Sequence, residues 1–165
     1  MEGVGTRSGV VGRVLGGIFG FGGRSRIEEM SQSLKENWEE GDQIVDVVGF
    51  SRGAALAVHS TNHLTKEGIT LSNGEVIKPE VRFLGLWDVV ASFGLSFDTF
   101  INFNEINLGW DIDQVSAGVK HCFHAMALDE RRETFAVTRL NETGGYENIN
   151  EMWFRGVHSD VGGGN

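Results

Sequence analysis

The stretch Val-Val-Gly-Phe-Ser-Arg-Gly-Ala-Ala, residues 47 to 55, constrains the fold more than any other part of the chain. Ahead of its serine, Gln43 to Phe50 (QIVDVVGF) is a short, β-branched and almost uninterrupted apolar run. Such a run suits a strand buried on both faces of a parallel sheet. Behind the serine, Arg52 to Leu64 (RGAALAVHSTNHL) has the small residues and spacing of a helix packed closely on that strand. A strand and a helix that meet at Ser51 with no loop between them require a sharp turn. Gly49 and Gly53 stand two residues to either side, where a Cβ would collide as strand and helix converge, and Ala54 and Ala55 let the helix come close. In a chain with 24 glycines a bare G-x-S-x-G match is weak evidence. Its place between a buried strand and a helix is what makes Ser51 a candidate nucleophile, lifted clear of the sheet on an elbow.

The other elements extend this layout. Arg24 to Glu40 reads as a helix, with Ile27, Met30, Leu34 and Trp38 at three- and four-residue steps and Gly41 as its stop. Its acidic end, Glu36 to Asp42, is a solvated helix terminus. Val81 to Trp87 (VRFLGLW) reads as a second buried strand, preceded by Pro79 and ending at Asp88. Lys120 to Glu130 (KHCFHAMALDE) is ambiguous, and its composition favours a helix. Arg132 to Arg139 alternates weakly and reads as extended, and Asn148 to Val157 contains a short strand leading to His158. Residues 92 to 118 are aromatic-rich and without period, which suits a loop or cap over a cleft. The first 23 residues hold nine glycines, carry no strand of their own, and match neither phosphate-binding glycine pattern, so they read as a turned loop. The sum is one α/β domain over 1–165, a parallel sheet flanked by helices with three chemically useful groups at strand ends.

Charge and composition exclude several function classes. A net charge of -9 is wrong for a nucleic-acid surface, and no window holds 18 consecutive apolar residues, so no spanning helix is expected. The N-terminus lacks a signal peptide pattern: glycines and Arg13 interrupt its apolar run. The expectation is a soluble protein, cytoplasmic or exported without a signal peptide. A single cysteine, Cys122, excludes an internal disulfide. His121 and His124 bracket that cysteine in an H-x-x-H spacing, but no second cluster completes a zinc set, and neither metal nor cofactor is expected. His59 and His63, one turn apart on the helix after Ser51, read as surface or core-edge residues.

A serine hydroxyl needs a neighbouring base, and an imidazole needs a carboxylate to fix its tautomer. Ser51, Asp88 and His158 occur in the chain order nucleophile, acid, base, each just past a strand. Asp98, Asp111, Asp113 and Asp129 are rivals for the acid, and none follows so clean a strand. Asp88 could instead be a helix cap, and His158 could cap a loop. Asp160 suits the turn that follows His158 better than a metal. One oxyanion donor would be the backbone N–H of Arg52; the second usually comes from a loop after an earlier strand, which the sequence does not display.

Four blocks, GFSRGA at 49–54, FLGLWDVV at 83–90, HAMALDE at 124–130 and WFRGVHSDVGGG at 153–164, resemble the α/β-hydrolase family known as domain of unknown function 2235. That family includes phospholipase effectors of bacterial type VI secretion systems. The resemblance runs from EGVGT at 2–6 to the final glycines and implies Ser51 as nucleophile, Asp88 as acid and His158 as base. It implies a serine esterase of lipase or phospholipase type, acting on an ester or phospholipid, with peripheral membrane contact left open. The aromatic run Phe93 to Trp110 is compatible with an acyl-chain site. Family members open with a strand ending in Asp-Gly-Thr and continue past the glycines, so the chain is expected to be an internal fragment, incomplete at both termini, with an unpaired sheet edge. A non-catalytic binding or delivery module, and a peptidase or thioesterase on the same residues, are the alternative functions.

Overall fold

The computed structural model describes residues 10–11, 23–90, 112, 114–141 and 147–163. In chain order these form strand β1 (Val10–Val11), helix α1 (Gly23–Glu39), β2 (Val45–Phe50), α2 (Arg52–Lys66), β3 (Ile69–Thr70), β4 (Val76–Ile77), β5 (Val81–Trp87), β6 (Val119–Ala127), a single 3-10 turn (Glu133–Phe135), β7 (Ile149–Phe154) and the short α3 (His158–Val161). Strands β1-β2-β5-β6-β7 lie side by side in that order, each parallel to its neighbour. The sheet is therefore α/β and parallel, as the sequence implies. Helices α1 and α2, which follow β1 and β2, both pack into one cluster on the same face of the sheet.

That face is the core. Val47, Leu84, Leu86, Cys122, Met126 and Ile149 point into it and are buried, as are Ala54, Ala55, Ala57 and Val58 of α2. Leu34 of α1 joins the same cluster, and Trp38 packs against it. Gly49 marks the closest approach: a Cβ there would stand 2.5 Å from the Ala54 Cα and 2.8 Å from the Gly53 carbonyl oxygen. Cys122 is fully buried as a free thiol, and burial pushes its pKa up to about 12. On the opposite face Trp87, Phe123, Met152 and Phe154 are exposed among the described residues, beside Asp46, His121 and Asn150, and Phe83 stacks on Phe123 at 5.9 Å.

Three expectations change, and one element appears that the sequence reading did not include. Lys120 to Glu130 is not a helix: Val119–Ala127 is a strand between β5 and β7. Ala, Met and Leu suit helices when read singly, but Cys122, His124 and Met126 recur every second residue and all three are buried. A slot between two strands outweighs local preference. The glycine-rich N-terminus does contribute a strand, since Val10–Val11 pairs with Val45 and Asp46 on the β2 edge that was expected to be unpaired. Within Arg132 to Arg139 the backbone makes a 3-10 turn rather than an extended run. A small antiparallel hairpin, β3–β4, precedes β5. Its signal was present in Ser72-Asn73-Gly74, where the Asn73 side chain accepts the Glu75 N–H at 2.9 Å. The irregular reading of residues 92 to 118 falls mostly outside the described residues.

The Gly49 contact yields a prediction. Gly49→Ala drives a methyl into helix backbone and should cost about 2 kcal/mol, lowering the thermal midpoint by roughly 5 °C. A melt followed by circular dichroism measures it, and an unchanged midpoint would refute the close approach.

Candidate active site

Ser51 occupies the single residue between β2 and α2. Its backbone is forced to φ 60 and ψ -128, in a region non-glycine residues avoid. Asp88, one residue past β5, is also left-handed, with φ 45. Two backbone bonds join these turns: the Ser51 N–H donates to the Trp87 carbonyl at 2.9 Å, and the Val90 N–H donates to the Ser51 carbonyl at 3.3 Å.

Ser51, Asp88 and His158 meet. The His158 Nε2 stands 2.8 Å from the Ser51 Oγ, and its Nδ1 stands 2.6 Å from the Asp88 Oδ2. Asp88 is fully buried, and its second oxygen accepts the Ala127 N–H at 2.8 Å. That bond and the ring leave the carboxylate little freedom to rotate. With Nδ1–H donating to Asp88, Nε2 is the acceptor and faces the serine hydroxyl, the tautomer a general base requires.

His158 opens α3 and is held on several sides. Its ring lies between Phe50, at 4.6 Å between centroids, and Phe135, at 4.9 Å. The backbone N–H of His158 donates to the Glu130 carboxylate at 3.3 Å. Arg132 pairs with that same carboxylate and lies over the Phe135 ring at 4.0 Å, and its guanidinium holds Glu130 well below the usual carboxylate range. The end of α3 closes down on Phe50 only because residue 162 is glycine, since a Cβ would fall 2.2 Å from that ring.

The remaining sequence candidates separate clearly. Arg52 is the first residue of α2, exposed in side chain, with its backbone beside Ser51; Gly49 and Gly53 flank the elbow as expected. Asp129 does not approach the histidine: its carboxylate accepts the Gly156 N–H at 2.7 Å. Asp160 accepts the Val157 N–H at 2.9 Å, the turn role the sequence suggested. Asp98, Asp111 and Asp113, and the aromatic run Phe93 to Trp110, lie outside the described residues. So do residues 12–22 after β1, where a second oxyanion donor would be sought. His121 and His124 sit three apart on a strand, which sends them to opposite faces, exposed and buried respectively. His59 is half-buried and His63 exposed.

What single-sequence reading missed is the support. His124 is almost completely buried, and its Nε2 accepts the Val89 N–H at 3.1 Å. Its Nδ1 donates to Glu151 at 3.1 Å, and Glu151 also accepts the Leu140 N–H at 2.8 Å and Arg139 at 3.1 Å. Burial depresses the His124 pKa against the pull of Glu151. Burial raises that of Glu151, but the Leu140 N–H, His124 and Arg139 together bring it below its ordinary value.

The chemistry of this arrangement is that of a hydroxyl beside an oriented base. The family described as "T6SS, Phospholipase effector Tle1-like, catalytic domain" matches residues 70–165, more than half of the chain. That span takes in Asp88 and His158 and begins after Ser51. Among solved structures, the Tle1 effector bound to the VgrG spike of the type 6 secretion system matches at 26% identity and TM-score 0.62, over 85% of this chain and 30% of that one. An uncharacterized protein from Pseudomonas aeruginosa matches at 24% identity and TM-score 0.52, over 84% of this chain and 22% of that one. This chain thus spans under a third of either. None of the curated proteins matches. No helix among the described residues is long and apolar enough to cross a membrane.

The depressed His124 pKa sets a pH signature. As pH falls through the ordinary histidine value of 6.5, the unfolded chain takes up a proton at this site that the folded chain refuses. Stability should therefore drop between about pH 7.5 and about pH 5.5, and the drop should be smaller in His124→Gln. Urea unfolding at the two pH values measures it; equal slopes in both proteins would refute the neutral assignment.

Proposed function

The chain belongs to the family of type VI secretion Tle1-like phospholipase effector catalytic domains, and from that membership we propose that it is a serine-dependent phospholipid ester hydrolase acting through an acyl-enzyme. The reading treats the whole chain as part of one α/β-hydrolase domain and includes export through a type VI system. A single observation carries it: His158 lies within hydrogen-bond reach of Ser51 on one side, at 2.8 Å, and of Asp88 on the other, at 2.6 Å.

In this mechanism Ser51 is the nucleophile. His158 Nε2 takes the hydroxyl proton as Oγ attacks the ester carbonyl carbon. Negative charge develops on the former carbonyl oxygen, and the Arg52 backbone N–H at the start of α2 donates to it. Asp88 stays ionised and stabilises the imidazolium through Nδ1–H. The imidazolium then protonates the departing glycerol oxygen, leaving the fatty acyl group on Ser51. Water attacks that acyl-enzyme with His158 again as base, the fatty acid leaves, and the serine is restored. No step calls for a metal. Support for the phospholipid, as opposed to another ester, comes from the family.

Two measurements test the reading. Incubation with phospholipid vesicles should release fatty acid, and a fluorophosphonate probe should label Ser51. Ser51→Ala should abolish both, and Asp88→Asn should lower kcat by about 10⁴-fold while the fold is retained. Fatty acid release that survives Ser51→Ala, or a probe that labels other serine hydrolases and leaves this one untouched, would overturn it.

A further inference from the structure

We propose that His124 is a positioning residue for Asp88, a neutral imidazole locked by Glu151 as its Nδ1–H tautomer so that Nε2 can hold the Val89 N–H and with it the turn that aims the carboxylate. The role rests on the function proposed above; the geometry stands independently of it.

The Asp88 turn has a problem to solve. Its backbone is left-handed at a non-glycine residue, which costs about 1–3 kcal/mol, and a turn under strain relaxes unless it is held. Val89, the next residue, is fully buried, so its N–H and carbonyl must find partners inside the protein. The carbonyl accepts the Thr138 N–H at 2.7 Å. The N–H has His124 Nε2 as its acceptor, at 3.1 Å.

An imidazole nitrogen can accept only when it carries no proton, so the identity of the tautomer decides whether this bond exists. Glu151 decides it. Its carboxylate sits 3.1 Å from Nδ1 and draws the proton to that side. Arg139 and the Leu140 N–H hold the carboxylate in place. The contacts close on themselves: Val89 N–H to His124, His124 to Glu151, Leu140 N–H to Glu151, and back through the chain to Thr138, whose N–H meets the Val89 carbonyl. Asp88, Glu151 and Arg139 are the charged groups facing the ring. One residue from this ring of bonds, the Asp88 carboxylate stands 2.6 Å from His158. Among the described residues the His124 ring bonds to the Val89 N–H and Glu151 and not to Ser51 or His158, so its influence on the reaction passes through the turn.

The alternative, a structural buried histidine, predicts loss of stability without a specific effect on the His158–Asp88 bond. The two differ in three readouts. Long-range proton–nitrogen NMR on the full chain near neutral pH should find His124 as the neutral Nδ1–H tautomer. The Nε2–H tautomer or an imidazolium there would overturn the proposal without any variant. The His158 Nδ1–H bonded to Asp88 should give a low-field proton resonance. His124→Leu, which removes the acceptor, should shift or erase that resonance and lower kcat for a short-chain nitrophenyl ester by roughly 10–100-fold, with KM changed less than about twofold. His124→Gln, whose amide oxygen can take the place of Nε2, should restore both. A Leu variant that keeps resonance and kcat, or a folded Gln variant that loses them equally, would overturn the proposal. Should His124→Leu not fold, the wild-type tautomer and the Gln variant still decide. A protein that shows the resonance and tautomer but hydrolyses no ester would refute the hydrolase reading and leave the positioning role intact.

Discussion

Two backbone hydrogen bonds, Ser51 N–H to Trp87 carbonyl and Val90 N–H to Ser51 carbonyl, hold together turns that lie far apart in the chain. They exist because β2 and β5 are adjacent and parallel, so both strands end at the same edge of the sheet. Residues 107 positions apart, Ser51 and His158, are brought into contact by the same logic, since β7 ends at that edge too. Parallel pairing sets the register; the register sets the separations among hydroxyl, imidazole and carboxylate.

The cost of the arrangement is local and its compensation is distributed. Ser51 and Asp88 both hold left-handed backbone, each worth about 1–3 kcal/mol of strain. A core of small and β-branched side chains between α2 and the sheet offsets it. Around the Asp88 turn the backbone N–H groups are individually satisfied: Asp88 N–H by Ala125, Val89 N–H by His124, Val90 N–H by Ser51. Most side chains at the site are likewise restrained on more than one side. The His158 ring has Phe50, Phe135, Asp88 and Ser51 around it, which fix its orientation, while Glu130 holds its backbone N–H.

Much of this was legible from residues alone. The elbow, β5 and the approach to His158 showed clearly because each depends on local pattern: a β-branched run, glycines at fixed offsets, a helix of small residues. β6 was not legible, since its helix-favouring letters carry information about a strand only once β5 and β7 are known to flank it. The same reason hid His124. In sequence it pairs with His121 as though for a metal, whereas in space it pairs with Glu151 and the backbone of Val89, 27 and 35 positions away. Glu130 and Arg132 were hidden differently: a carboxylate and a guanidinium two residues apart look like solvated surface, and only the proximity of α3 gives them a histidine to steady.

Cys122 lies in β6, between the strands that lead to Asp88 and to His158. It is the chain's sole cysteine, fully buried, with its thiol held protonated by the apolar surroundings. Only a thiolate attacks a thiol reagent, so this sulfur is silent as long as the sheet is closed. When β6 separates from its neighbours the thiol becomes ordinary and reactive. The protein therefore carries a native chemical clock for the opening of its own central strand, and the rate at which a thiol reagent captures Cys122 reads how often the edge that aligns the site comes apart.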